Sequence, residues 1–338
     1  MKVGSIVFAT NSGLGILAKD FYDNGIITDV IVVEHGNYKN ENWYGDSYVI
    51  KNHSVNSIDK DAIYEFVKNI DCLFLFETNF FPEILEAAKH YKKKIILMPM
   101  YESTIFPLIA DLYISPSLLD IDYYKYMYSD ASHKFIPVPV NSTIQWRERT
   151  KAKQFIHNAG NESSGDRNGT RSLLEALKYV KSPIDLTVRY QINKSNAYAR
   201  PEYFIEDERI NYTTEKVEFT DLWNQGDVFL FPERWNGLSL PIQEAFSSGM
   251  LVMAGNRYPL NTWLPNLPLI DIQSTEILTN NNIQFHSAIY DPKTIAQYID
   301  LWYDRDIITY SKLGKKWKEE NSWDILRSVY IKTIEETI

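Results

Sequence analysis

The chain has 338 residues, long for one hydrophobic core and comfortable for two domains of roughly 150 residues each. Charged residues at 23% and hydrophobic ones at 44% are ordinary for a soluble globular protein, and a net charge of −9 argues against a broad electrostatic grip on nucleic acid without excluding a local basic groove. The single cysteine, Cys72, cannot close an internal disulfide, no apolar run approaches the roughly 18 residues of a membrane span, and MKVGSIVFATNSG lacks a signal-peptide pattern, so a cytoplasmic protein with no transmembrane segment is expected.

In chain order, the first half alternates. KVGSIVFA predicts a strand, GILAKDFYDNG a helix ending at Gly25, TDVIVVE a strand, DAIYEFVKN a helix, CLFLFE a strand, PEILEAAKHY a helix and KIILMP a strand. ADLYISPS and KFIPVPV close the series as strands around a helix through LLDIDYYKYMY. Strands alternating with helices predict a parallel, doubly wound sheet. The polar stretch at 139–153 breaks the rhythm and reads as a linker. A second series follows: KQFIHNAG as strand, TRSLLEALKYVK as helix, IDLTVRYQ as strand, PEYFIEDE as a helix, RINYTT as strand and EFTDLWNQG as a short helix. VFLF and LVM are short buried strands around a helix in SLPIQEAFSS, with Ser239 as its N-cap, Pro241 in the first turn and Gly249 as its left-handed stop. PKTIAQYIDLWYDRD and the stretch from 308 onward are helical, the latter broken near Asn321.

Two Rossmann-like halves are therefore expected, facing one another across a cleft lined by strand ends, where open α/β sheets bind ligands. NSGLG, with Gly13 and Gly15, follows the first strand; its glycines allow close backbone approach to a ligand, and a tight strand-to-helix turn accounts for them equally well. It is not GxGxxG, so no dinucleotide site is read there. The loop HNAGNESSGDRNG carries Arg167 at the mouth of the next helix, a planar fork of donors suited to phosphate oxygens, or else a solvated loop arginine. Glu77, Tyr101 and Glu102 end strands of the first half. There is no HxxxH and no second cysteine, so neither a bound metal nor any resident cofactor is expected.

NGLSLPIQEAFSSGMLVMAG resembles the donor-binding signature of family-4-type glycosyltransferases of the GT-B fold, in which two glutamates flank a Gly-Leu-Pro core followed by Glu-Ala and a glycine. Gly237, Leu240, Pro241, Glu244, Ala245, Gly249 and Val252 fall in place. DRNGTRSLLEAL is similar to the family's lysine-glycine segment, and ATNSGLGILAKDFYDNG with MPMYES is similar to a subgroup met in bacterial and phage genomes. The resemblance implies a domain at 1–145 on the acceptor side, a nucleotide-sugar donor domain at 146–310, and a C-terminal helical segment at 311–338 crossing back to the first domain. It places Glu244 on the donor ribose and Asn236, Gly237, Leu238, Ser239 and Leu240 around the sugar and diphosphate. Two departures stand out. Asn236 replaces the first glutamate, with Glu233 three residues earlier, and the family's paired Arg and Lys fall near Asn161 and Asn168, leaving Arg167 as the cation. Where the family often has a histidine near MPMYES there is none, so Glu102 becomes the candidate to orient or deprotonate the acceptor hydroxyl, a helix cap being the competing reading.

The function these residues predict is transfer of a hexosyl or pentosyl group from a nucleoside diphosphate sugar, with UDP or GDP as nucleotide, to a hydroxyl acceptor. Metal independence is read from the residues and retention from the resemblance. The acceptor could be a glycan, a lipid, a small molecule or a hydroxymethylated base in phage DNA. A sugar-nucleotide epimerase of the same fold and a non-catalytic binding protein are the alternatives.

Overall fold

The computed structural model describes residues 1–34, 41–51, 58–77, 81–100, 109–116, 122, 125–126, 128–160, 166–191, 201–215, 217–236, 238–258, 260–262, 267–280 and 283–338. Two compact units divide it, 1–139 with 323–338 and 140–322, where the sequence suggested breaks after 145 and 310.

The first unit is built on a parallel seven-stranded sheet in the order β3-β2-β1-β4-β5-β6-β7. Its strands are β1 Val3–Val7, β2 Asp29–Glu34, β3 Tyr48–Lys51, β4 Cys72–Glu77, β5 Lys94–Pro99, β6 Leu112–Ser115 and β7 Ser132–Phe135. β1, β4 and β6 are buried along almost their whole length, as continuous apolar runs require in a sheet covered on both faces. Helix α1 (Gly13–Asp23) starts at Ser12, whose hydroxyl accepts from the Gly15 N–H at 3.1 Å. Gly15 cannot be anything larger, because a Cβ there would sit 2.0 Å from the Thr10 carbonyl oxygen. Helices α2 (Lys60–Lys68) and α3 (Pro82–Tyr91) complete the crossovers; Asp59 caps the first, and Lys92 in a left-handed conformation stops the second. Strand β3 was not anticipated, its four residues being too short for a periodic signal. β7 is displaced from the expected KFIPVPV: it stops at Phe135, because Pro137 and Pro139 carry no N–H to continue a ladder. The helix expected through Leu118–Tyr128 falls largely outside the described residues.

The second unit holds a parallel five-stranded sheet, β10-β9-β8-β11-β12, and a separate antiparallel ribbon, β13-β14. The strands are β8 Gln154–Gly160, β9 Asp185–Tyr190, β10 Ile210–Thr213, β11 Val228–Phe231, β12 Leu251–Ala254, β13 Ser274–Asn280 and β14 Ile283–Ile289. Helix α4 spans Thr170–Ala176 and α5 Leu240–Ser247; α6 is Pro292–Trp302, α7 Ile308–Glu320 and α8 Trp323–Glu335. The helix expected over PEYFIEDE is absent. Those residues form turns, and Phe204 instead stacks on Tyr212 of β10 with ring centroids 4.7 Å apart. EFTDLWNQG yields one 3₁₀ turn, Phe219–Asp221. The break near Asn321 is real, and its cause is local: the Asn321 side-chain amide donates to the Trp317 carbonyl at 2.9 Å, capping α7 before α8 begins.

α8 belongs with the first unit. Its Trp323 and Tyr330 lie edge-on to Phe21, both at 5.0 Å, and Phe21 in turn meets Phe74 and Phe76 of β4. The Tyr330 hydroxyl donates to the carbonyls of Ile136 and Pro137. Among the described residues, no helix is long and apolar enough to cross a membrane.

Candidate functional site

In the second sheet the strand order reverses between β8 and β11, so the segments beyond their carboxyl ends, described at 166–169 and 232–236, lie at the switch point where open α/β sheets bind ligands. The two loops are joined. The Arg234 N–H donates to the Arg167 carbonyl at 2.8 Å, the Arg167 Nη2 to Asn236 Oδ1 at 2.5 Å, and its Nε to the Trp235 carbonyl at 3.2 Å. Arg167 and Asn236, the cation and the amide singled out in the sequence, thus meet at the switch point. The two loops also approach at Gly169, whose φ of 72° is left-handed and where a Cβ would lie 2.0 Å from the Pro232 carbonyl oxygen.

Below this pair the loop is held by buried polar groups. His157 of β8, fully buried, faces Leu230 O through Nδ1 and Thr170 Oγ1 through Nε2, both at 2.9 Å. A carbonyl can only accept, so Nδ1 carries the proton, and in the neutral ring Nε2 accepts from the Thr170 hydroxyl. Burial drives the His157 pKa down to about 4. The native ring therefore stays neutral down to about pH 4, whereas an unfolded chain takes up a proton near 6.5. The stability His157 contributes is present above pH 6.5 and is lost as pH falls from 6.5 towards 4. Urea midpoints should drop between pH 7 and pH 5, and His157→Gln should reduce that drop; an unchanged pH dependence in the variant would show the ring is not its source.

Glu233 is fully buried. One carboxylate oxygen pairs with Arg257 and the other accepts from Ser239, while its backbone carbonyl accepts from the Tyr290 hydroxyl at 2.7 Å. With each oxygen partnered inside the protein, Glu233 holds the loop in place. Ser239 precedes α5 as expected but makes no capping bond. Its φ of 52° is left-handed and its hydroxyl turns to Glu233 instead. Gly249 stops α5 at φ 93° as its position suggested. The ribbon β13-β14 braces the loop from another side: the Ala288 N–H donates to the Arg234 carbonyl at 2.8 Å, and the Arg234 guanidinium pairs with Glu276.

Glu244 lies in α5, 9% exposed, where its Oε2 accepts from the Trp223 indole N–H at 3.1 Å. Leu238 is buried, and Leu240 is the first residue of α5. The Asn168 side-chain amide donates to the carbonyls of Asn158 and Ala159, closing the end of β8. Gly13 and Gly15 lie in the first unit, where the Gly15 N–H is already taken by Ser12. Glu77 ends β4 with a left-handed φ of 63°. Tyr101, Glu102, Asn161 and Gly237 lie outside the described residues. Arg257, Tyr290, His157 and Trp223 were not foreseen as parts of the site; each is a long-range partner with no local motif. Among the described residues, no group of three or more His, Cys, Asp or Glu could hold a metal ion.

No protein-family model matches the chain, and no curated protein matches it either. Solved structures do. Anabaena Alr3699/HepE in complex with UDP and glucose superposes with a TM-score of 0.71 at 9% identity, covering 99% of this chain and 100% of that one. The lipopolysaccharide outer core galactosyltransferase WaaB, in its apo form, gives 0.61 at 13% identity over 100% and 99%. Sucrose-phosphate synthase from Thermosynechococcus elongatus gives 0.61 at 12% identity over 99% and 98%. The fold is GT-B. The match to HepE covers 99% of the chain and so takes in residues of both units.

Proposed function

We propose that this GT-B chain is a glycosyltransferase, moving a hexosyl or pentosyl group from a nucleoside diphosphate sugar to a hydroxyl acceptor, without a divalent metal and with retention at the anomeric carbon. The observation that carries the proposal is the Arg167–Asn236 contact, which sets a guanidinium and an amide at the switch point of the second sheet, on the loop that leads into α5. In this reading the bond from the anomeric carbon to the diphosphate breaks while a bond to the acceptor oxygen forms. Charge growing on the leaving diphosphate is met by Arg167, by loop N–H groups and by the amino end of α5. Asn236 hydrogen-bonds sugar hydroxyls without adding charge, and Glu244 accepts from the ribose. Glu102 and the loop with Gly13 and Gly15 serve the acceptor side and the sugar.

UDP is the nucleotide to test first, since HepE is a UDP and UDP-glucose binder. A ligand at 100 times its Kd stabilises by roughly 2.7 kcal/mol, so UDP or a UDP-sugar should raise the melting temperature measurably. If neither UDP, GDP nor their sugars at millimolar concentration shift the melting curve, the proposal fails. Release of nucleoside diphosphate that depends on an added acceptor separates a transferase from an epimerase, which needs none, and from a binding protein, which releases none. The family-4 type, a phage-related origin and a cytoplasmic setting belong to the same reading. A glycan, a small molecule or a hydroxymethylated base is the acceptor class to screen.

A further inference from the structure

Arg149 is 2% exposed, and its guanidinium points at main-chain oxygens. Nε donates to Gly226 O at 2.7 Å, Nη2 to Trp223 O at 2.7 Å, and Nη1 to Arg147 O at 3.2 Å and to Ser248 O. Arg189, at the carboxyl end of β9, donates through Nη1 to Leu222 O at 2.6 Å. Two guanidiniums from different elements therefore hold two consecutive carbonyls, 222 and 223. Burial is costly for both: it pushes Arg149 down to about 10 and lowers Arg189 as well. The dipeptide they fix carries Trp223, which is 2% exposed, packs edge-on to Phe229 at 5.1 Å and donates its indole N–H to Glu244. Arg149 also grips Ser248, the C-cap residue that follows α5, so the helix bearing Glu244 and the loop bearing Trp223 share one anchor.

We infer that Trp223, anchored by Arg149 and Arg189, is the positioning residue that aims the Glu244 carboxylate at the nucleotide; this rests on the nucleotide-sugar reading above. An indole N–H can only donate, and it occupies one carboxylate oxygen. A carboxylate has lone pairs for several donors, so with its direction set by the indole it can also accept from a ligand hydroxyl. Without the indole, Glu244 keeps its charge and loses its aim. The cations act at one remove, by stopping the loop from sliding along α5.

The test is a double-mutant cycle on UDP and UDP-glucose affinity with the full chain, using Trp223→Phe, Glu244→Ala and the pair. Trp223→Phe keeps an aromatic ring against Phe229 and deletes the N–H. It should weaken UDP about tenfold in the native background, as expected for losing a hydrogen bond to a charged group, and have almost no effect once Glu244 is alanine. Arg149→Lys, which retains a donor but not the fork, should weaken UDP in the same Glu244-dependent way. Melting curves and circular dichroism establish that each variant is folded. If Trp223→Phe lowers affinity by the same factor in both backgrounds, or binds UDP as tightly as the native chain, the inference is overturned while nucleotide binding stands. If the native chain binds neither UDP nor UDP-glucose, the functional reading falls and the inference with it. Should Trp223→Phe fail to fold, Arg149→Lys in the two Glu244 backgrounds decides in the same terms.

Discussion

Arg167→Ala is expected to lower kcat by about 100-fold, while turnover of the native protein persists in excess EDTA. A helix amino end supplies about half a positive charge. That is small against a leaving diphosphate bearing roughly two to three negative charges, and removing one donor of such a transition-state site typically costs about 100- to 1,000-fold. Arg167 is suited to the task because it is already oriented: Nη2 on Asn236 and Nε on the Trp235 carbonyl hold the fork against the β11–α5 loop. A flexible lysine would have to be ordered on each turnover. The measurement is steady-state rate with the UDP-sugar found by thermal shift, with and without chelator. An unchanged kcat in Arg167→Ala, or activity abolished by EDTA and restored by Mg²⁺ or Mn²⁺, would overturn the assignment. In the first case Arg189 or Arg171 becomes the cation to replace.

Arg257→Met should cost about 3–5 kcal/mol of stability, the range for leaving one member of a buried ion pair behind. Arg257 and Glu233 have side chains 4% and 0% exposed, so the stranded carboxylate has no route to water. Ser239 and the backbone contacts around Tyr290 would remain but carry no charge. Replacing both partners, Glu233→Leu with Arg257→Met, should recover more than half of the loss, because a pair of apolar side chains needs no compensation. Urea unfolding of the three variants checks this. A loss below 1 kcal/mol for Arg257→Met alone would mean that the pair is solvated in ways its burial does not suggest.

The sequence was most informative where backbone chemistry is local. VFLF, LVM and CLFLFE are buried strands because continuous apolar runs have no other stable place. Gly249 could be placed because only a residue tolerant of positive φ ends a helix that way. Asn236 and Arg167 could be named but not joined, since their contact spans 69 positions and depends on strand order. Glu233 shows the limit most clearly. Its partner Arg257 lies 24 positions on, and no local motif signals the pairing. Ser239 differs for the same reason: a serine ahead of Leu-Pro is a cap on local grounds, and a buried carboxylate outbids the helix for its hydroxyl. The ribbon β13-β14 is antiparallel and separate from the parallel sheet, so the alternation of strand and helix does not predict it.

The return of α8 to the first unit sets an order for biosynthesis. Residues 1–139 leave the ribosome first, yet their aromatic cluster around Phe21 is incomplete until Trp323 and Tyr330 have been made. The second unit, contiguous from 140 to 322, has all its own residues before that moment. The half made first is thus the half finished last. During that interval Phe21 lacks two of its ring partners, and the nascent chain carries the kind of uncovered apolar surface that chaperones recognise. A stop codon placed just after 322 would make the condition permanent, damaging the unit farthest from it in sequence and sparing the one beside it.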